Sequence, residues 1–447
     1  MSSENHPIAA AALKLAKSGG IEAVQEWEQD RFHNALNNIS HKKAGLRLNG
    51  LREFIDLVHF SLEPGHLLQK SPLTVVTELQ AAIRRLSKSE MATGLRAVSA
   101  FAVGLGTMND EIFQYLQSFL TGILQQADLS EAAAVAGLQA LTLATVFMSE
   151  DSDQLVVLLR QLVQAVSTAA DAAGLDATVD MIDSGDDEAD ALSSGAGPSG
   201  EWLLPGKSAA RPAVRVAVLQ ALAFAGSFHP AGGRVLRPLA PGLVPILAAT
   251  LLEAEEQQQL DLKSAAALGL VALVAGTPEA NHLTGRFGPG LLEHLPPLVA
   301  TLQALTHSRH QSQQQLASSY RAFADLLDAL RMEEFEPEEV NLGSGQADMA
   351  PLPYLLSSSR ARCREPYMQD IFPGQALDFQ VRFNVAVRGL FGLGPVVDRL
   401  VVGLTEEEID RMFMDKRTLQ LVREDDARQR ARDIATQRRT KHDLGEF

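Results

Sequence analysis

Between Arg428 and Lys441 the chain carries six cations, Arg428, Arg430, Arg432, Arg438, Arg439 and Lys441, against one anion, Asp433. A guanidinium is a planar fork of donors that matches two phosphate oxygens at once, so this run suits a polyanion such as RNA. On an ideal helix Arg428, Arg432 and Arg439 fall on one side, with Arg430, Arg438 and Lys441 near the opposite side. Cations on both sides leave no apolar stripe wide enough to dock on a protein core. Ile434 and Leu444 are the only large aliphatic residues after Ala427. Two readings follow: a solvated terminal tail, or a helix surrounded by phosphates in a groove or channel of RNA. The remainder of the chain sharpens the contrast. The formal net charge is -16 over 447 residues, so the protein as a whole is repelled by nucleic acid and by anionic membrane, and a polyanion must be met by a local basic surface.

A second basic stretch is "HKKAGLRLNGLREF" (41–54), in which Lys42, Lys43, Arg47 and Arg52 are expected on a helix otherwise built of Leu and Ile. Such a face is usually solvated, and a binding role is the alternative. Other candidates for chemistry fail on spacing or setting. "GEWLLPGKS" (200–208) has five residues between the glycines where a phosphate-binding loop needs four, and an acidic stretch where that loop needs a strand. His307 and His310 in "HSRH" could face one metal across a helical turn, but no third or fourth ligand is evident nearby. "GLFGLGP" (389–395) reads as a turn between helices. The single cysteine, Cys363, has no catalytic setting and allows no disulfide. We expect no enzyme, no cofactor, no metal and no small-molecule substrate.

The elements that must position the basic residues are helices. Apolar residues make up 46% of the chain and aromatics only 5%, and this Ala/Leu-rich composition favours packed helices over sheets. Apolar periodicity predicts helices over 21–38, 42–61, 72–86, 90–105, 110–126, 130–147 and 152–174, then 211–227, 240–253, 258–276, 289–306 and 313–332. "TMND" (107–110) and "ADLSE" (127–131) read as stops followed by fresh N-caps, with Asp128 and Glu131 at capping-box spacing. The Ala/Leu helices starting at Leu95, Leu138 and Leu219 recur at about one and then two intervals of 40 residues, each after a more amphipathic helix. The expected fold is all-α: a HEAT/armadillo-like helical-repeat solenoid with a smaller, mostly helical C-terminal domain and a basic terminal helix. The expected divisions are N-terminal repeats (1–175), an acidic Ser/Gly-rich disordered insert (176–212), a second repeat segment (213–335), a C-terminal domain (336–420) and the basic helix or tail (421–447). In the insert, Ser184, Ser193 and Ser194 lie among acids within reach of a kinase, and Trp202 is expected to pin its far end. "EEVNL" (338–342) reads as a short strand, followed by a loop-rich stretch containing "PLPYLL" and "SSSRARCREP". Helical periodicity resumes over 375–391. Thr405 and Glu408 form another capping box. The N-terminus lacks a signal-peptide layout, and the apolar run 265–276 is too short to span a bilayer. A reducing intracellular compartment is expected, without a membrane partner.

Several of these segments resemble the interferon-related developmental regulator family. "AGLRLNGLREFI" (44–55) and the helix pairs through "VVLLRQLVQAV" (156–166) are similar to that family's N-terminal repeat region. "FADLLDALRMEEFEPEEVNLG" (323–343), "EEEIDRMF" (406–413) and the ending "RRTKHDLGEF" (438–447) resemble its later segments in the same order. Where the family carries a Lys/Arg-rich run before Phe323, this chain has "HSRHQSQQQLASSYRA". The resemblance implies a ribosome-binding factor that occupies idle ribosomes and represses translation. Its partners would be ribosomal RNA and proteins in the cytoplasm, with the basic C-terminal helix in the mRNA path. A second implied role is a transcriptional co-regulator in the nucleus, an adaptor between proteins.

Overall fold

The computed structural model describes residues 6–172, 203–228, 232–253, 260–275, 296–304, 317–331, 338–342, 352–356 and 359–393. Helices α1 (Pro7–Ile39), α2 (Ala44–His59), α3 (Pro64–Gln69), α4 (Pro72–Ile83), α5 (Met91–Leu105), α6 (Asp110–Leu124), α7 (Glu131–Met148) and α8 (Ser152–Ala172) form the first half. Then come α9 (Gly206–Ala209), α10 (Pro212–Gly226), α11 (Gly232–Glu253), α12 (Leu260–Ala275), α13 (296–304) and α14 (Ala317–Arg331). They pair as hairpins, α1 with α2, α4 with α5, α6 with α7, α8 with α10 and α11 with α12. The second members stack in one layer, α2, α5, α7, α10, α12 and α14, each packed on the next. The chain is an all-α helical-repeat solenoid; the strands among the described residues are one antiparallel ribbon, β1 (Glu338–Leu342) with β2 (Leu352–Leu356), in which Val340 faces Tyr354.

The repeat is also visible as hydrogen bonds between residues about 40 apart. Gln25 donates to Glu63 at 2.7 Å, Lys70 to Gln29 at 2.6 Å and Ser40 to Glu78 at 2.6 Å. The Glu150 amide donates to Asp110 Oδ1 at 2.9 Å. Across the insert the offset doubles: Arg211 Nη1 donates to the Leu129 carbonyl at 2.6 Å, and the Ala213 amide to Glu131 Oε1 at 2.9 Å. Equivalent turns of successive hairpins therefore sit side by side, which is the one-dimensional logic of a repeat array.

The two layers differ for a physical reason. The first-layer helix α6 is amphipathic, with Ile112, Phe113, Leu116, Leu120, Ile123 and Leu124 buried along one stripe. The second-layer helices α5, α7 and α10 are buried on nearly every side. They are covered by their hairpin partners, by their neighbours and by a third group of helices from the C-terminal part: α15 (Ser359–Ile371), α16 (Gln375–Phe383) and α17 (Val385–Leu390). Helix α7 is long and apolar enough to cross a membrane by length and composition, and is buried in this core.

These last helices act as a strap across the C-terminal ends of the second layer. A helix end leaves carbonyls without intrahelical partners, and the strap supplies donors to three such ends. Gln380 Nε2 donates to the Val58 and His59 carbonyls at 2.9 and 2.8 Å, closing α2. Asn384 Nδ2 donates to the Val103 carbonyl of α5 at 3.2 Å. Arg364 Nη2 donates to the Ser227 carbonyl after α10 at 2.8 Å, with its guanidinium 4.1 Å over the Phe228 ring. Phe372 packs on His59, Phe379 on Phe60, and Tyr367 stacks on Phe224 with ring centroids 4.2 Å apart. At the far end the buried Arg362 pairs with Asp325, and Arg321 reaches the buried Glu365 at 2.9 Å. Gly106 ends α5 in the left-handed region (φ 56°), and a Cβ there would also meet the Ala386 Cβ at 2.8 Å, so glycine serves both the turn and the strap's approach.

Several expectations are corrected. Helix α1 begins at Pro7 rather than at 21, running through Ser18, Gly19 and Gly20. The N-cap of α7 is Ser130, whose Oγ accepts from the Ala133 amide; Asp128 pairs with Lys88 instead. Asn109 caps α6 as expected, accepting from the Ile112 amide at 3.1 Å. "PLPYLL" contains strand β2, and "SRARCREP" (359–366) lies in a helix that continues past Pro366. Leu203 and Leu204, inside the expected insert, are buried. Residues 176–202, including Trp202 and the three serines, lie outside the described residues, as do His307, His310, Thr405 and Glu408.

Candidate nucleic-acid interface

The six cations of the C-terminal segment, Arg428, Arg430, Arg432, Arg438, Arg439 and Lys441, lie outside the described residues. The second basic stretch is described, and the structure rearranges it. Helix α2 begins at Ala44, so Lys42 and Lys43 belong to the turn before it, not to the helix. Both are exposed, as is Arg52. Arg47 is buried and does not belong to an open face. Its Nη1 donates to the Lys42 carbonyl at 2.7 Å and its Nη2 to the Arg85 carbonyl at 2.9 Å. One guanidinium thus ties the turn of the first hairpin to the turn of the second, satisfying carbonyls that neither helix can.

This bridge brings a second basic group beside the first. Arg84, Arg85 and Lys88 occupy the α4–α5 turn, and all three are exposed. Arg96 is exposed on α5. Glu90 lies within the field of Arg47 and Arg52, and its carboxyl is held low first by its hydrogen bonds with Ser87. Taken together, residues 41–52 and 84–96 hold eight cations and one anion, Glu90, in a chain whose net charge is -16. The charge is concentrated at the N-terminal ends of α2 and α5, the opposite ends from the strap. Helix α2 has no side-chain cap, so its first amides add positive potential to the same edge.

Sequence reading missed Arg84, Arg85, Lys88 and Arg96 because the two segments look unrelated along the chain. The signal that could have found them is the repeat period: Lys42 and Lys43 precede Arg84 and Arg85 by one interval of 42 residues.

The remaining candidates do not assemble a reactive centre among the described residues. Cys363 is buried, with its Sγ 3.8 Å from the Leu268 carbonyl, and burial pushes its thiol up to about 12, which keeps it protonated. Ser208, the last residue of the loop-like "GKS", is buried, and Gly206, Lys207 and Ser208 lie in the short helix α9. No group of three or more His, Cys, Asp or Glu is placed to hold a metal among the described residues. A shallow, open depression lies between α8, α10 and α11, lined by Val166, Ala169, Val218, Ile246 and the half-buried Arg215.

Buried titratable groups serve the packing of the first hairpin. Glu28 on α1 accepts from Ser61 Oγ at 2.8 Å and from the Leu62 amide at 3.2 Å, holding the chain as it leaves α2. Burial raises its carboxyl from the usual 4.5 to about 7. Burial likewise drives His59 down to about 3, so it stays neutral. A carboxyl raised in the fold stabilises fully below its unfolded pKa, and that contribution is lost as pH rises through the folded one. Between pH 4.5 and 8 this group should therefore cost on the order of 2–3 kcal/mol. Urea unfolding of Glu28→Gln across this range should lose that part of the pH slope; a slope identical to the parent's would exclude Glu28 as its source.

A model of the interferon-related developmental regulator family matches residues 2–181 of this chain. The match covers α1 to α8 and both basic turns. No curated protein matches the chain.

Proposed function

We propose, from the match of its N-terminal repeats (residues 2–181) to the interferon-related developmental regulator family, that the chain is a non-enzymatic ribosome-binding factor that represses translation. The helical body docks on the ribosome, and the basic C-terminal segment occupies the mRNA path. The observation that carries this reading is the charge reversal of residues 428–441, six cations to one anion at the end of a chain of net charge -16. A segment with cations on all sides gains most where phosphates surround it, which is the environment of an RNA-walled channel. The adaptor alternative requires an open helical face. Across the second layer, the ends of α2, α5 and α10 are already covered by the chain's own strap, which weighs towards the ribosome reading.

The test is co-sedimentation with purified, mRNA-free ribosomes. We expect the intact protein to pellet and to be displaced by added mRNA. Binding should weaken with salt with a log–log slope on the order of −4 to −5, as six phosphate contacts would give. Replacing the six cations by Gln should abolish most of the binding. Equal pelleting of both proteins would transfer the binding to the helical body, and pelleting of neither would overturn the ribosome reading.

A further inference from the structure

We propose that the edge formed by the α1–α2 and α4–α5 turns is a second RNA-phosphate binding surface, separate from the C-terminal segment. Its core is Lys42, Lys43, Arg84 and Arg85, two adjacent pairs of exposed cations one repeat apart. Three observations carry it. The first is isolation: among the described residues the side chains of Lys42, Lys43 and Arg85 have no carboxylate partner within ion-pair distance, while Lys88 alone in these turns is neutralised, by Asp128. The second is fixed spacing. Arg47 is spent holding the two turns together through their carbonyls, so the pairs are set at the separation of packed neighbouring helices, about 8–10 Å. The third is composition. Leu46, at 37% exposed, is the only large apolar side chain among residues 41–52 and 84–96 that stands clear of the core. A protein partner would ask for buried aromatic or aliphatic anchors, whereas phosphates ask only for cations at regular spacing.

The surface lies at the N-terminal ends of the second-layer helices and the strap at their C-terminal ends. The length of α2, 16 residues or about 24 Å, separates them. RNA contacted at this edge is thus held apart from the place where the strap leads into the C-terminal segment. The inference deepens the ribosome reading, and rests on it for the source of the RNA. Its test is made without ribosomes, so the two can fail separately.

The experiment is fluorescence anisotropy of the full chain with a 20-base-pair RNA duplex over a range of salt. The parent is compared with Lys42→Gln/Lys43→Gln/Arg84→Gln/Arg85→Gln and with the six-Gln variant of the C-terminal segment. Loss of four phosphate contacts should make the salt slope shallower by about 3.6, at roughly 0.9 per contact on a duplex, and weaken binding at least tenfold at low salt. The six-Gln variant should keep that share of the slope. The double variant Lys42→Gln/Lys43→Gln, at two exposed side chains of the turn, should show half the change and removes misfolding as an explanation. Unchanged duplex binding in both edge variants would overturn the proposal. So would equal loss of binding to a polyglutamate probe, because it would make the edge a general anion patch. Duplex binding that depends on the edge, in a protein that does not pellet with ribosomes, would leave this surface standing and remove the ribosome reading.

Discussion

Tyr367→Ala should lower the unfolding free energy by about 3–5 kcal/mol, as expected for truncating a fully buried aromatic residue. The ring is 1% exposed, stacks on Phe224 of α10 and lies between the strap and the middle of the second layer. Its loss opens a cavity between α15 and α10, whose relative position is also held by the Arg364 contact to the Ser227 carbonyl. Tyr367→Phe keeps the ring and should cost little, at most about 1.5 kcal/mol, because the buried hydroxyl it removes has at most the one neighbour Thr142 to bond. Urea unfolding of the two variants separates them. If Tyr367→Ala unfolded at the parent's midpoint, the strap would not be part of the cooperative core.

The second large effect is expected at Gly50, where α2 crosses α1. A Cβ at this position would lie 2.7 Å from the Ile39 amide nitrogen and 2.8 Å from the Ala35 carbonyl. Both are backbone atoms of a helix, so no rotamer change relieves the clash and the two helices must separate. Overpacking of this kind costs about 1–3 kcal/mol, and here it falls on the crossing that sets the first hairpin. Gly45→Ala, in the first turn of the same helix, meets nothing within 4 Å. It should be neutral or stabilising by up to about 1 kcal/mol through helix propensity. A lower midpoint for Gly50→Ala at unchanged m, beside an unchanged or higher one for Gly45→Ala, would establish the close crossing; parallel behaviour would refute it.

The helical hairpins were legible because their signals are local. Apolar spacing marked α4 to α8, and Asn109 announced its own cap. Glu338–Leu342 showed its strand character in sequence, while Leu352–Leu356 did not, because Pro353 within it and Pro351 just before it argue against a strand; Pro353 is tolerated since the ribbon has only two strands. The helix start expected at residue 21 lies inside a longer helix, which begins at Pro7, runs through Gly19 and Gly20 and packs on α2 and α4. What could not be read was anything decided by residues far apart. Arg47 looks like one more cation on a basic helix, and only the arrival of the Arg85 carbonyl 38 residues later turns it into a buried bridge. Gln380 and Asn384 look like ordinary polar residues until their partners at Val58 and Val103 are known. Of the candidate interface, half was visible as "HKK", and the other half needed the repeat register.

The strap also has a consequence for the order in which the protein comes into being. An open repeat array can fold from its first hairpin as soon as the next one covers it. Here the end of α2 receives its donor from a residue 322 positions later. At about 5–20 residues per second of synthesis, the first hairpin waits roughly 15–65 s for Gln380 to be made. Throughout that interval the C-terminal ends of α2 and α5 have uncapped carbonyls, and the apolar surface that Phe372 and Phe379 later cover is open to water. The nascent chain is therefore expected to engage chaperones that hold exposed apolar surface until Gln380 has been made.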